Sequence, residues 1–93
     1  MQSKNYTRYN KVVSIPSDYE KLIKELIAAR SEVGLSQESL ANKIGCTSSL
    51  IHKWESHKRI PSGFMLICWL DALGYQIDVT KKKQTHNLSV VSE

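Results

Sequence analysis

The side chains best suited to metal or nucleophile chemistry in this 93-residue chain are Cys46, Cys68, His52 and His57, and their spacing favours neither use. The two cysteines are separated by 21 intervening residues in sequence that reads as helical, with no close cysteine neighbour, so a disulfide framework and a zinc site are both unexpected. His52 and His57, five positions apart, fall on diverging faces of one helix. Both cysteines are expected as small apolar core residues. No glycine-rich phosphate loop and no nucleophile paired with a base appears, so an enzyme is not expected, and neither is a cofactor.

The chemistry left is that of charge. A net charge of +4 divides unevenly: residues 1–16 carry Lys4, Arg8 and Lys11 with no acid, and residues 81–93 carry Lys81, Lys82 and Lys83 against Glu93. The middle, with seven basic and eight acidic residues, is nearly neutral. Cationic ends suit a polyanion, because each phosphate they meet releases condensed counterions; they are equally compatible with solubilising tails. The arm Tyr6 to Lys11 interleaves basic and aromatic residues and either enters a minor groove or lies loose while Val12, Val13 and Ile15 pack on the domain.

The elements that would position these charges are helical. Ser17-Asp18-Tyr19-Glu20 has the spacing of a capping box, predicting a first helix over about 18–33 that ends at Gly34. Ser36 caps a second helix over about 37–44, closed by Gly45, and Thr47 caps a third over about 48–56. After the basic loop His57-Lys58-Arg59-Ile60-Pro61, Ser62 caps a fourth helix carrying Phe64, Met65, Ile67, Cys68, Leu70 and Leu73, with Gly74 at its end. Tyr75, Ile77 and Val79 then alternate with polar residues, the pattern of a short half-buried strand that needs a partner. Helical spacing turns Trp54 and Trp69 toward aliphatic neighbours, so both are expected in the core.

Two short helices joined by Gly45-Cys46-Thr47 meet the local description of a helix-turn-helix. The stretch LSQESLANKIGCTSSLIHKWESHKRIP, followed by FMLICWLDALG, resembles the lambda-repressor and Cro, or XRE, family over about residues 20–75. The resemblance implies an all-α, four- to five-helix lambda-repressor-like domain, here with a short C-terminal strand and flexible basic ends, and double-stranded DNA as the partner. It implies that Ser48, Ser49, His52 and Lys53 face the major groove. Helical geometry agrees, since residues one, two, five and six of the third helix form its N-terminal outer face while Leu50, Ile51 and Trp54 turn inward. Phosphate contacts are implied at Gln37, which in the family also braces the first residue of the recognition helix, and at Thr47, Ser56, Lys58 and Arg59. The resemblance further pairs Arg30 with Glu55 as an ion pair bracing that helix.

The expected organisation is a basic arm over 1–16, a DNA-binding domain with a dimerisation strand over 17–80, and a flexible tail over 81–93. One recognition helix reads only about 4–5 base pairs, so a homodimer on a palindromic operator is expected, joined through Tyr75, Ile77 and Val79 with the fourth helix as the competing interface. The expected role is a sequence-specific transcriptional regulator, a repressor first. The alternative is an antitoxin-type module whose C-terminal tail binds a protein such as a toxin. No stretch approaches the ~20 apolar residues of a membrane helix, and the polar start lacks the core of a signal peptide, so no membrane partner and a cytoplasmic location are expected.

Overall fold

Short hydroxyl side chains start three of the four helices, and residues in the left-handed region end them, which fixes the domain's architecture locally. A computed structural model of the chain describes residues 5–8 and 11–83. Its order is strand β1 (Asn5–Arg8), strand β2 (Lys11–Ser14), helix α1 (Ser17–Glu32), helix α2 (Gln37–Ile44), helix α3 (Ser48–Glu55) and helix α4 (Gly63–Ala72). Ser36, Thr47 and Ser62 accept from the backbone N–H three residues on, at 3.0, 3.2 and 3.1 Å, each satisfying one orphan donor of a first turn.

α2 packs against both α3 and α4, and α1 against α3. The core between them gathers Ile23 and Leu26 from α1, Leu40 and Ala41 from α2, Ile51 and Trp54 from α3, and Trp69 and Leu70 from α4. The Trp54 and Trp69 rings lie 5.3 Å apart at 31°, a tilted pair that ties α3 to α4. Cys46 packs half-buried against this core and Cys68 is half-buried on α4, so neither is a full core residue as expected.

The N-terminal arm is the main departure from an all-α chain. Residues 5–8 and 11–14 pair antiparallel as the two strands of a hairpin, with Asn5 opposite Ser14, Tyr6 opposite Val13, Thr7 opposite Val12 and Arg8 opposite Lys11. Aromatic and β-branched residues oppose one another at the two central positions, the pairings that stabilise such ladders. Ile15 is buried where the hairpin meets the domain, whereas Val12 and Val13 stay exposed.

Three further expectations are corrected. Tyr75 to Thr80 form neither strand nor helix, because the described chain offers their backbone no ladder. The described helices number four, the lower of the two counts expected. The cap of α1 is Pro16 rather than Ser17: the Glu20 N–H bonds to the Pro16 carbonyl at 3.1 Å, Ser17 is already helical, and its hydroxyl no longer has cap geometry. α3 ends at Glu55, with Ser56 as its cap. Most of the basic tail, residues 84–93, and with it most of the segment expected to dock a protein partner, lies outside the described residues.

The turn between α2 and α3 depends on Gly45, whose φ of 92° is strained for any residue with a Cβ although nothing lies within 4 Å of one placed there. Gly63, at the first position of α4, is equally unobstructed but has no positive φ. Gly45→Ala should therefore destabilise by about 1–2 kcal/mol, while Gly63→Ala should stabilise by about 0.4–1 kcal/mol by narrowing the unfolded ensemble. Thermal melting followed by circular dichroism checks the opposite signs; two shifts of the same sign would contradict this account of the turn.

Candidate nucleic-acid interface

α3 begins at Ser48, behind the Thr47 cap, and divides cleanly by burial. Ile51 and Trp54 are buried and Leu50 half-buried, while Ser48, Ser49 and His52 are exposed and Lys53 is half-exposed beside them. The outward set carries two hydroxyls, an imidazole and an ammonium, all able to donate hydrogen bonds and two kinds able to accept. There is no acid in the first turn, so the positive end of the helix dipole is left uncompensated beside these donors. Such a surface suits base edges and phosphate oxygens.

The other end of α3 is held by one carboxylate. Arg30 of α1 forks onto Glu55, with Nε donating to Oε2 at 2.7 Å and an Nη to Oε1 at 3.1 Å. Its remaining Nη donates to the Leu35 carbonyl at 2.8 Å, in the turn between α1 and α2. Gln37, the first residue of α2, donates from Nε2 to the same Oε1 at 2.9 Å. α1 and α2 therefore converge on Glu55 of α3, with Arg30 also tied to the turn between them, and the ion pair is well covered, with side chains 16% and 7% exposed for Arg30 and Glu55. Gln37 thus braces the C-terminal end of α3 rather than its first residue. That bond joins positions 18 apart and left no periodic trace in the sequence.

Beyond Glu55 the chain turns in a full Schellman motif. The His57 N–H bonds to the Trp54 carbonyl at 3.3 Å and the Lys58 N–H to the Lys53 carbonyl at 2.8 Å. The left-handed residue in it is His57, at φ 63°, where α1 and α4 use Gly34 and Gly74. The imidazole packs against Tyr19 with ring centroids 5.9 Å apart, a contact that offsets the backbone strain. Histidine is among the few residues enriched at such positions, the one sequence signal that could have marked this turn. The motif delivers Lys58 and Arg59 to the surface, both exposed.

Ser56 is placed differently from what its position suggests: its hydroxyl donates to the His52 carbonyl at 2.8 Å, and reaching a phosphate as a donor means surrendering that bond. Thr47 is exposed, with its oxygen occupied as the cap of α3. Burial pushes the Cys46 thiol up, which favours its protonated form. Among the described residues, no group of three His, Cys, Asp or Glu could hold a metal ion.

A helix-turn-helix family model matches residues 26–79, from the middle of α1 through α4 and into the segment after it. The chain belongs to the XRE, or lambda-repressor and Cro, type of helix-turn-helix. As an XRE-type protein it is a DNA-binding transcriptional regulator, α2 and α3 being the two helices of the motif and α3 the recognition helix. No curated protein and no solved structure matches the chain. The hairpin lies outside the part of the chain that the family model covers. No described helix is long and apolar enough to cross a membrane.

Removing Arg30 leaves a covered carboxylate with only the Gln37 amide. Arg30→Ala should cost about 2–4 kcal/mol, the range for breaking a buried pair from one side when a second bond remains. A chain of this size then loses roughly 10–20 °C of melting temperature. An unchanged melting temperature would show that the pair does not brace α3.

Proposed function

We propose that this XRE-type regulator represses transcription by binding a palindromic operator as a homodimer, with α3 of each subunit in successive major grooves. The observation that carries this reading is the exposed set Ser48, Ser49, His52 and Lys53 on a helix fixed from behind by Glu55. Lys53 donates to guanine O6 or N7, His52 to or from a neighbouring base edge, and Ser48 and Ser49 to base or phosphate oxygens. Lys58 and Arg59 contact phosphates of the same half-site, joined by Gln37, Thr47 and Ser56, and fix the register of the helix on the duplex. Occupying a promoter is the simplest regulatory act for such a fold, since it needs only site-specific binding.

A second subunit is supported by apolar surface. Phe64 and Ile67 on α4 and Tyr75, Ile77 and Val79 after it are all exposed, Phe64 at 75% and Val79 at 92%. Pairing of residues 75–79 with their symmetry mates gives each backbone a ladder and covers this face.

Selection of bound duplexes from a random pool should return two half-sites about one helical turn apart. On the selected duplex, Lys53→Ala should lower affinity by about 1–3 kcal/mol and relax preference at one position. Lys58→Ala should weaken binding to all sequences alike and reduce the salt slope by about 1. Equal affinity for selected and scrambled duplexes would overturn specific recognition. Light scattering at micromolar concentration should give twice the chain's 10.6 kDa, and a monomeric mass would overturn the dimer.

A further inference from the structure

A cleft of about 830 Å³ lies between the hairpin and the helical domain, within the span of about 300–1,000 Å³ usual for small-molecule sites. Tyr6 and Val13, opposed in the register, line it from the hairpin, Ile15 and Pro16 at its root, and Tyr19 and Ile60 from the domain. Valine, proline and the two isoleucines make this lining largely apolar. No acidic or basic side chain borders the cleft, so an ion entering it would shed water without meeting a counter-charge. The occupant it suits is uncharged.

Two phenols interrupt the apolar lining. The Tyr19 hydroxyl is covered yet has no hydrogen-bond partner, a costly state for a buried polar group and one that a missing ligand explains. Burial, and after it the nearby Tyr6 phenol, push this hydroxyl up, which keeps it protonated and able to donate. Tyr6 borders the same cleft, close enough to act on Tyr19 but not hydrogen-bonded to it. An acceptor atom placed between the two would take a proton from each side. The hairpin can yield to admit it, because a two-stranded sheet is marginal by itself and Ile15 is the one buried residue among those described up to position 15.

We propose that the cleft between the hairpin and α1 binds an uncharged, largely apolar small molecule through a carbonyl-type oxygen that accepts from the hydroxyls of Tyr19 and Tyr6. Such a molecule gives the Tyr19 hydroxyl its partner and covers the apolar side of Val13, so that the hairpin and the domain close on it together. The site is independent of the DNA-reading face, yet its floor adjoins it: Tyr19 packs on His57, with ring centroids 5.9 Å apart, in the turn that carries Lys58 and Arg59.

The test is a titration of the full nitrogen-labelled chain with coumarin, a neutral bicyclic lactone, followed by nuclear magnetic resonance. Amide resonances of Thr7, Val13, Ile15, Tyr19 and Ile60 should move together and saturate with a Kd on the order of 1 mM, the affinity usual for so small a ligand. Tyr19→Phe keeps the ring on His57 and removes one donor, and should weaken coumarin roughly 3- to 10-fold. Its melting temperature should not fall, since the hydroxyl it lacks had no partner in the free chain. Val13→Trp suits an exposed strand position, fills the cleft and should abolish the shifts. Absence of saturation up to about 5 mM coumarin would overturn the proposal, as would binding that both variants leave unchanged or a lowered melting temperature in Tyr19→Phe. Movement of the same resonances on diluting the chain without coumarin would show a second copy in the cleft and overturn it as well.

Discussion

Glu55 is the point on which the geometry of the DNA-binding surface depends. An eight-residue helix is far below the length at which an isolated helix is stable in water, so α3 exists because of what it packs against. Its inward face is supplied by Ile51 and Trp54, the latter against Trp69 of α4. Apolar contact alone permits sliding and rotation about the helix axis. The fork from Arg30 and the amide of Gln37 remove that freedom, because three directional bonds on one carboxylate fix both the rotation of α3 and its distance from α1 and α2. The acid is thus explained: on a surface built for phosphate, a free carboxylate would repel the ligand, and here it faces the other way.

Under the proposed reading, affinity and specificity fall to different parts of the chain. The side chains able to distinguish bases sit on the outer face of α3, whereas the exposed cations Lys58 and Arg59 sit just past its C-terminal end, in the Schellman turn that His57 adopts. Contacts of the second kind carry no sequence information but set the register in which the first kind are read.

The helices were legible wherever a cap and a stop are local events. Ser36, Thr47 and Ser62 start their helices as their side-chain chemistry dictates, and Gly34, Gly45 and Gly74 take the left-handed positions near their ends. Ser17 misled because Pro16 already provides a cap position and a carbonyl for the first bond. The alternation at Tyr75 to Thr80 reports which side chains want cover and says nothing of whether a ladder exists within one chain. The hairpin was not legible because strands of four residues are too short for a period-2 pattern to stand out, and the opposed Tyr6–Val13 and Thr7–Val12 pairs are set by register rather than by sequence spacing. The pairing of Arg30 with Glu55, 25 residues apart, came from family resemblance; the bond from Gln37 to Glu55 did not, since side-chain contacts at that separation follow from the packing of α1, α2 and α3.

The central claim is that the outer face of α3 is what meets the bases. The most direct measurement is nuclear magnetic resonance of the nitrogen-labelled protein titrated with its selected duplex and with a scrambled one in moderate salt. The account predicts that amide resonances of Ser48, Ser49, His52 and Lys53 move much further with the selected duplex, while those of Lys58 and Arg59 move similarly with both. Equal movement of the α3 resonances with either duplex, or their silence while another face responds, would contradict it.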